Sequence, residues 1–296
     1  MFTTHIFFCW SFHHILTSEV FVSSGIVRII VAVIAIPFFI AAIILGGWYF
    51  FILVLAIMLL GLYEALDLGR KKNTLPQTIS SFLFCAAAGF VFYHDLFDYF
   101  LPLFMLFILT VMAVELFRNQ GSALLNISST VFSVIYVTLM IGSMVLLRNI
   151  SELGEYAGAQ LVFLVFAGIW ACDTFAYYGG KFFGNRKFFE RVSPKKTWEG
   201  AIAGFFGAFL GVWIVKILYE SFGISFSLSL VHTLVIGFFA GTLGQIGDLA
   251  ESLLKRDAQI KDSSSLIPGH GGVLDRFDSM MFVGPMTYAY VSLFVI

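Results

Sequence analysis

The stretch IPGHGGVLDRFDSMMFVG, Ile267 to Gly284, sets a glycine-rich turn directly before Asp275, Arg276 and Asp278, and these abut the apolar run that ends the chain. What the cluster means depends on the solvent of that run, and composition decides it. The 296 residues are 59% hydrophobic and 12% charged, with 36 Phe, and the mean hydropathy is +0.94. A soluble core with a solvated shell does not have this make-up. A helix needs about 17–25 apolar residues to cross a bilayer, and the chain offers many such runs. The fold class is therefore all-α, a polytopic integral membrane protein, and the charges of Ile267–Gly284 sit at a membrane surface.

Working outward, the apolar runs predict about nine transmembrane helices, at 27–45, 47–66, 77–94, 99–117, 128–148, 158–180, 198–220, 229–251 and 280–296. Their separators carry glycine, asparagine or charge, as in Gly69-Arg70-Lys71-Lys72-Asn73. Basic residues orient the chain, because they accumulate in cytoplasmic loops. With the N-terminus inside, 15 of the 17 Lys and Arg fall on the cytoplasmic side; Arg148 lies outside and Lys216 near the outer end of a span. That parity leaves the C-terminus outside.

Three regions follow. Residues 1–25 form an N-terminal extension whose His5, His13 and His14 have no partners at ligand spacing, and which lacks a basic start for a secretory signal. Residues 26–150 are N-terminal helices with short loops and no catalytic signature, a scaffold or a homodimer surface. Residues 151–296 carry two long polar cytoplasmic loops, 181–197 and 252–279, and chemistry is expected there. There is no internal repeat. Cys9, Cys85 and Cys172 lie in apolar runs without CxxC spacing and read as packing residues.

The richest constellation begins inside the eighth span, GQIGDLAESLLKRDAQIKDSSSLIPGHGGVLDRFDS. If the helix continues, Asp248, Ser252, Lys255 and Arg256 share one stripe, while Asp275 and Asp278 share a face three residues apart. An ionisable residue such as Asp248 beside apolar sequence marks function by default. Carboxylates converging at a membrane surface repel unless a cation sits between them, and oxygen-only ligation suits Mg²⁺ completed by substrate phosphates. Lys255, Arg256, Lys261 and Arg276 are then placed for phosphate oxygens. The Gly269-His270-Gly271-Gly272 turn lets backbone N–H groups approach an anion. A charged loop that merely fixes topology is the bland alternative.

A second group is WACDTFAYYGGKFFGNRKFFERVSPKKTWEG, residues 170–200. Asp173 lies within the sixth span, and Lys195 and Lys196 stand at the entry of the seventh helix, where the dipole is already positive. Glu64, Asp67 and Glu115 end spans near Arg70 and Arg118 and read as interfacial ion pairs. His94 and His232 read as packing or hydrogen-bonded residues.

Together the two groups resemble the phosphatidate cytidylyltransferases, or CDP-diacylglycerol synthases. That family's signature is matched by SLLKRDAQIKD, Ser252 to Asp262, and IPGHGGVLDRFD, Ile267 to Asp278, and SPKKTWEG from Ser193 also looks like the family's. One departure is DTFAY at Asp173, where Phe175 occupies a position that is commonly glycine. The resemblance implies transfer of CMP from CTP to phosphatidic acid, giving CDP-diacylglycerol and pyrophosphate. It implies Mg²⁺, with room for a second cation, on Asp248, Asp275, Asp278 and, at lower rank, Asp173. Lys255, Arg256 and Lys261 would meet CTP phosphates, and Lys195 and Lys196 the lipid phosphate or the triphosphate. Ser252, Asp262, His270 and Arg276 would shape the loop or bind substrate. Partners are then CTP, phosphatidic acid and membrane lipids, with no nucleic acid. The expected location is a bacterial-type cytoplasmic (inner) membrane, with the active site facing the cytoplasm. Two other readings stand beside it: a CTP-dependent polyprenol kinase, which would transfer the γ-phosphate, and a cation-coupled transporter, for which the expected inverted repeats are missing.

Overall fold

Apolar runs punctuated by glycine, asparagine and charge become helices in the computed structural model, which describes residues 24–226 and 228–296. The helices are α1 (Ser24–Leu45), α2 (Gly47–Lys71), α3 (Thr78–Tyr93), α4 (Phe100–Arg118), α5 (Ala123–Asn149), α6 (Ala157–Phe183), α7 (Trp198–Ser221), α8 (Leu230–Asp257), the short α9 (Leu274–Phe277) and α10 (Met280–Phe294). Among the described residues six helices are long and apolar enough to cross a membrane, and shorter apolar helices accompany them. The chain is thus a mostly helical integral membrane protein. The N-terminal extension with its three histidines lies almost wholly outside the described residues.

Burial separates the centre from the lipid face. In α5, Val134, Val137, Ile141 and Met144 are buried, and α2, α3 and α10 pack around that helix. By contrast only 17% of the apolar window of α4 and 22% of that of α7 is buried, so these helices turn most of their surface outward, where exposed Leu109, Leu116, Phe206 and Trp213 lie. Without a hydrophobic force between helices in lipid, close backbone approach has to hold them together. The α6–α7 pair is the most extensive contact in the molecule. Gly204 makes it possible: an added Cβ would lie 2.9 Å from both Ala176 Cβ and the Cys172 carbonyl oxygen.

Two features depart from the expected polar loops. Within 181–197 the chain forms an antiparallel hairpin, β1 (Lys187–Phe189) and β2 (Ser193–Thr197), pairing Lys187 with Thr197 and Phe189 with Ser193. The all-α expectation therefore misses one small piece of sheet. The loop expected from 252 starts later, because α8 runs on to Asp257 and carries Ser252, Lys255 and Arg256 as helix.

Candidate active site

The hairpin is tied down by the helix that follows it. Thr197 caps α7 by accepting from Gly200 N at 3.2 Å. The Glu199 carboxylate accepts from Asn185 N at 3.1 Å and Arg186 N at 3.2 Å. Arg256 Nε donates to the Val192 carbonyl at 3.3 Å and its Nη1 to the Ile260 carbonyl at 3.0 Å. Arg256 thus pins the hairpin to α8, rather than reaching freely toward substrate as the sequence suggested.

So held, β2 presents Lys196 to α8, where its Nζ lies 2.6 Å from Asp248 Oδ2. Ser252 Oγ, one turn on, is 3.4 Å from Asp248 Oδ1. Asp173 of α6 joins them: with Lys195, Lys196, Tyr177, Gln245 and Asp248 it lines a cleft of about 440 Å³. Asp278 approaches from the other side because α8 presses on its backbone. A Cβ at Gly247 would lie 2.5 Å from the Asp278 carbonyl oxygen, and Ser279 Oγ donates to the Gly244 carbonyl at 3.0 Å. Burial, then the like charge of Asp248, then that of Asp173, push the Asp278 carboxyl up to about 7, although Ser279 N donates to it at 2.6 Å. Arg276 also lies within electrostatic reach of Asp173.

Asp275 is elsewhere. It pairs with Lys255 Nζ through Oδ1, while its Oδ2 accepts from Ser263 N at 2.9 Å and Gly272 N at 2.8 Å. Burial alone would raise this carboxyl, but Lys255 and those two amides outweigh it and hold it below the ordinary 3.8. Lys255 is itself buried and also lies 2.5 Å from Glu251 Oε2. Asp275 and Glu251 therefore share Lys255 inside the protein, and Lys255 remains within electrostatic reach of Asp278.

The glycine turn closes on itself: Ile267 N donates to the Gly271 carbonyl and His270 N to the Ile267 carbonyl, both at 2.9 Å. Gly269 and Gly271 take φ of 74° and 82°, a region that a Cβ disfavours. Lys261, Asp262, His270 and Arg276 line a second cleft there, of about 560 Å³.

Sequence reasoning missed two carboxylates. Glu251 is wholly buried; its signal was the four-residue spacing to Lys255. Asp67 forms its ion pair with Lys71, at 3.0 Å, rather than with Arg70, and Glu115 pairs with Arg118 at 3.7 Å, as expected. Glu64 does not: no ion pair reaches it among the described residues, and it instead accepts from Val273 N and Leu274 N, both at 2.9 Å.

The donor set tests the expectation of a metal. Among the described residues no three His, Cys, Asp or Glu side chains stand ready to enclose an ion. Mg²⁺ does not require that, since it is usually held by one or two carboxylates with substrate phosphates. The crowding of Asp248, Asp278 and Asp173 supplies hard oxygen donors whose mutual repulsion a cation would relieve. These residues fit the ion, while Asp275 is engaged by Lys255, Ser263 and Gly272 in this structure.

Comparison with known proteins identifies the family. The profile of the cytidylyltransferase family matches residues 26–294. A chloroplastic phosphatidate cytidylyltransferase 5 of Arabidopsis thaliana is 36% identical over 84% of this chain and 67% of its own length. The phosphatidate cytidylyltransferase of Synechocystis is 33% identical over 90% of this chain and 96% of its own length. That of Bacillus subtilis is 31% identical over 90% and 97%. The charged cleft, the fixed hairpin and the glycine turn lie within the matched residues, and the chain belongs to the cytidylyltransferase family.

Proposed function

We propose that the protein transfers the cytidylyl group of CTP to phosphatidic acid, giving CDP-diacylglycerol and pyrophosphate by in-line attack of the lipid phosphate on the α-phosphorus. The observation that carries the reading is the continuity of a charged cleft with an apolar groove. The cleft around Asp248, lined by Asp173, Lys181, Lys195 and Lys196 as well, shares Phe188, Ala201 and Gln245 with an apolar groove of about 920 Å³. That groove runs between the hairpin, α7 and α8 and is walled by Ile202, Phe205, Phe206 and Leu253. A lipid whose headgroup must meet a polar nucleotide needs this junction.

The chemistry asks little of the protein beyond positioning and charge. A phosphomonoester is already anionic near neutral pH, so no strong general base is required. Lys195 and Lys196 receive the attacking phosphate in the charged cleft, and Lys261 and Arg276 receive the nucleotide phosphates at the glycine turn. Asp248 and Asp278 would hold Mg²⁺, with Asp173 available to a second cation; bound there, the ion would supply charge neutralisation for the phosphate oxygens and the leaving pyrophosphate. Lys255 and Asp275 keep the wall of the cleft in register.

Nine crossings, with the N-terminus and the site on the cytoplasmic side of a bacterial-type inner membrane, are our reading of the topology. Six long apolar helices plus the shorter apolar ones support it, as does the one-sided distribution of basic residues. The deciding experiment is reconstituted protein with phosphatidic acid, Mg²⁺ and CTP labelled separately at the α- and γ-phosphates. The α-label is expected in a CDP-lipid and to disappear with a chelator. Gamma-label in lipid would instead make the protein a kinase.

A further inference from the structure

Glu64 lies on α2, in the half of the chain without any other signature residue. It is fully buried, which is costly for a carboxylate unless donors surround it. Its Oε1 accepts from Ser264 Oγ at 2.6 Å and Val273 N at 2.9 Å, and its Oε2 from Leu274 N at 2.9 Å. Ser263 Oγ lies 2.9 Å from Glu64 Oε2 and 2.9 Å from Asp275 Oδ2, so one hydroxyl bridges the two carboxylates. Every one of these donors belongs to the segment 263–274 that delivers Asp275 and, four residues beyond its end, Asp278.

Two further contacts point the same way. A Cβ at Gly272 would lie 2.5 Å from Glu64 Oε2 and collide with Ser263 Oγ, so the last glycine of the turn is the space into which the carboxylate fits. At the end of α2, Lys72 Nζ donates to the Asp257 carbonyl and Oδ1, both at 3.2 Å. Helix α2 thus grips both ends of the connection between α8 and α9.

We propose that Glu64 is a positioning residue for cytidylyl transfer: it fastens Ser263, Ser264, Val273 and Leu274 to α2, and so fixes Asp275 and Asp278 against α8. This rests on the cytidylyltransferase reading of the site. Nothing in core packing asks for a carboxylate there, whereas a loop bearing charged groups at a membrane surface needs a fixed acceptor.

The test uses full-length wild type, Glu64→Gln, Glu64→Asp and Gly272→Ala in detergent. Two readouts are taken: amide hydrogen exchange over residues 258–279, and kcat and KM for CTP and phosphatidic acid. In Glu64→Gln an amide NH₂ faces backbone N–H donors. Exchange at Val273 and Leu274 is expected to speed up by about tenfold. The kcat should fall on the order of 10- to 100-fold, while both KM values stay within about threefold. Glu64→Asp should recover part of both effects, and Gly272→Ala, which keeps the carboxylate but displaces the turn, should reproduce them. Folded Glu64→Gln with unchanged local exchange or unchanged kcat overturns the proposal. If that variant does not fold, the same result in Gly272→Ala overturns it. Loss of folding in all three variants overturns it too, by making Glu64 a global folding residue. Wild type without CDP-lipid product would refute the activity alone, since the exchange measurement does not depend on turnover.

Discussion

Replacing Lys255 by Met keeps the length of the side chain and removes its charge, and the structure gives the consequence. The Lys255 side chain is 10% exposed, that of Asp275 5% and that of Glu251 0%. Asp275 keeps the Ser263 and Gly272 amides as donors after the substitution. Glu251 keeps none: its contact with Lys255 is an ion pair without directed hydrogen-bond geometry, and neither carboxylate oxygen has another partner. Glu251 is therefore the stranded group. Removing one member of a buried ion pair costs about 3–5 kcal/mol, or on the order of 10 °C in unfolding midpoint for a protein of this size. A second substitution isolates the cause. Lys255→Met combined with Glu251→Gln removes the stranded charge and should return at least half of the lost stability, a coupling of about 2 kcal/mol. Turnover should stay low in both, because Asp275 has lost its fixed partner. Thermal unfolding in detergent followed by tryptophan fluorescence, alongside CDP-lipid synthesis, measures both quantities. A single variant within about 1 kcal/mol of wild type, or a double variant no more stable than the single, would refute the reasoning.

Asp275 carries the acid side of the same network. Its folded-state pKa lies below the ordinary 3.8, so its contribution is fully present above that value and is lost as pH falls through the lower folded one. The stability of wild type should therefore drop below about pH 4, and Asp275→Asn should flatten that slope in an acid titration of the unfolding midpoint. Asp248→Asn should abolish CDP-lipid synthesis, while the variant elutes from a sizing column as the folded wild type does; near-normal turnover would remove Asp248 from the site. Filling the apolar groove by Ile202→Trp should lower kcat/KM for long-chain over short-chain phosphatidic acid by about 10-fold, read in parallel assays with the two lipids.

How much of this was legible in the sequence depends on the range of the interaction. Helices were legible because lipid imposes long apolar runs: the span expected at 99–117 is Phe100–Arg118 and the one at 158–180 is Ala157–Phe183. The hairpin was not, since KFF and SPKKT are too short to show alternation and Pro194 argues against a strand. The carboxylates of the site were named from the sequence, which set Asp248, Asp275 and Asp278 together but not Asp275 on Lys255, Ser263 and Gly272. Asp248 and Asp278 approach because Gly247 admits the Asp278 backbone, a steric fact without a local signature. Glu64 was misread as an interfacial ion pair because Arg70 is near in sequence, whereas Leu274, one of its actual donors, is 210 positions away.

The two lysine–carboxylate pairs of the site differ in a way that sorts their work. Lys196 and Asp248 are 28% and 34% exposed, and an ion pair in contact with water is worth only about 0.2–1 kcal/mol. Moving the Lys196 ammonium from Asp248 to an arriving phosphate would therefore cost little and would leave Asp248 free to hold a cation. Lys255 and Asp275 are far more enclosed, and separating them would strand charge without water to receive it. On the proposed reading the exposed pair would be the one exchanged during the reaction, and the enclosed pair the one that stays shut. Substrate would then meet a charged cleft in which Lys196 masks Asp248 until phosphate competes for the ammonium. Two carboxylates and an arginine pressed against the last hydrophobic span would then divide the work: Asp275 would hold the wall through Lys255, while Asp278 and Arg276 would face the chemistry.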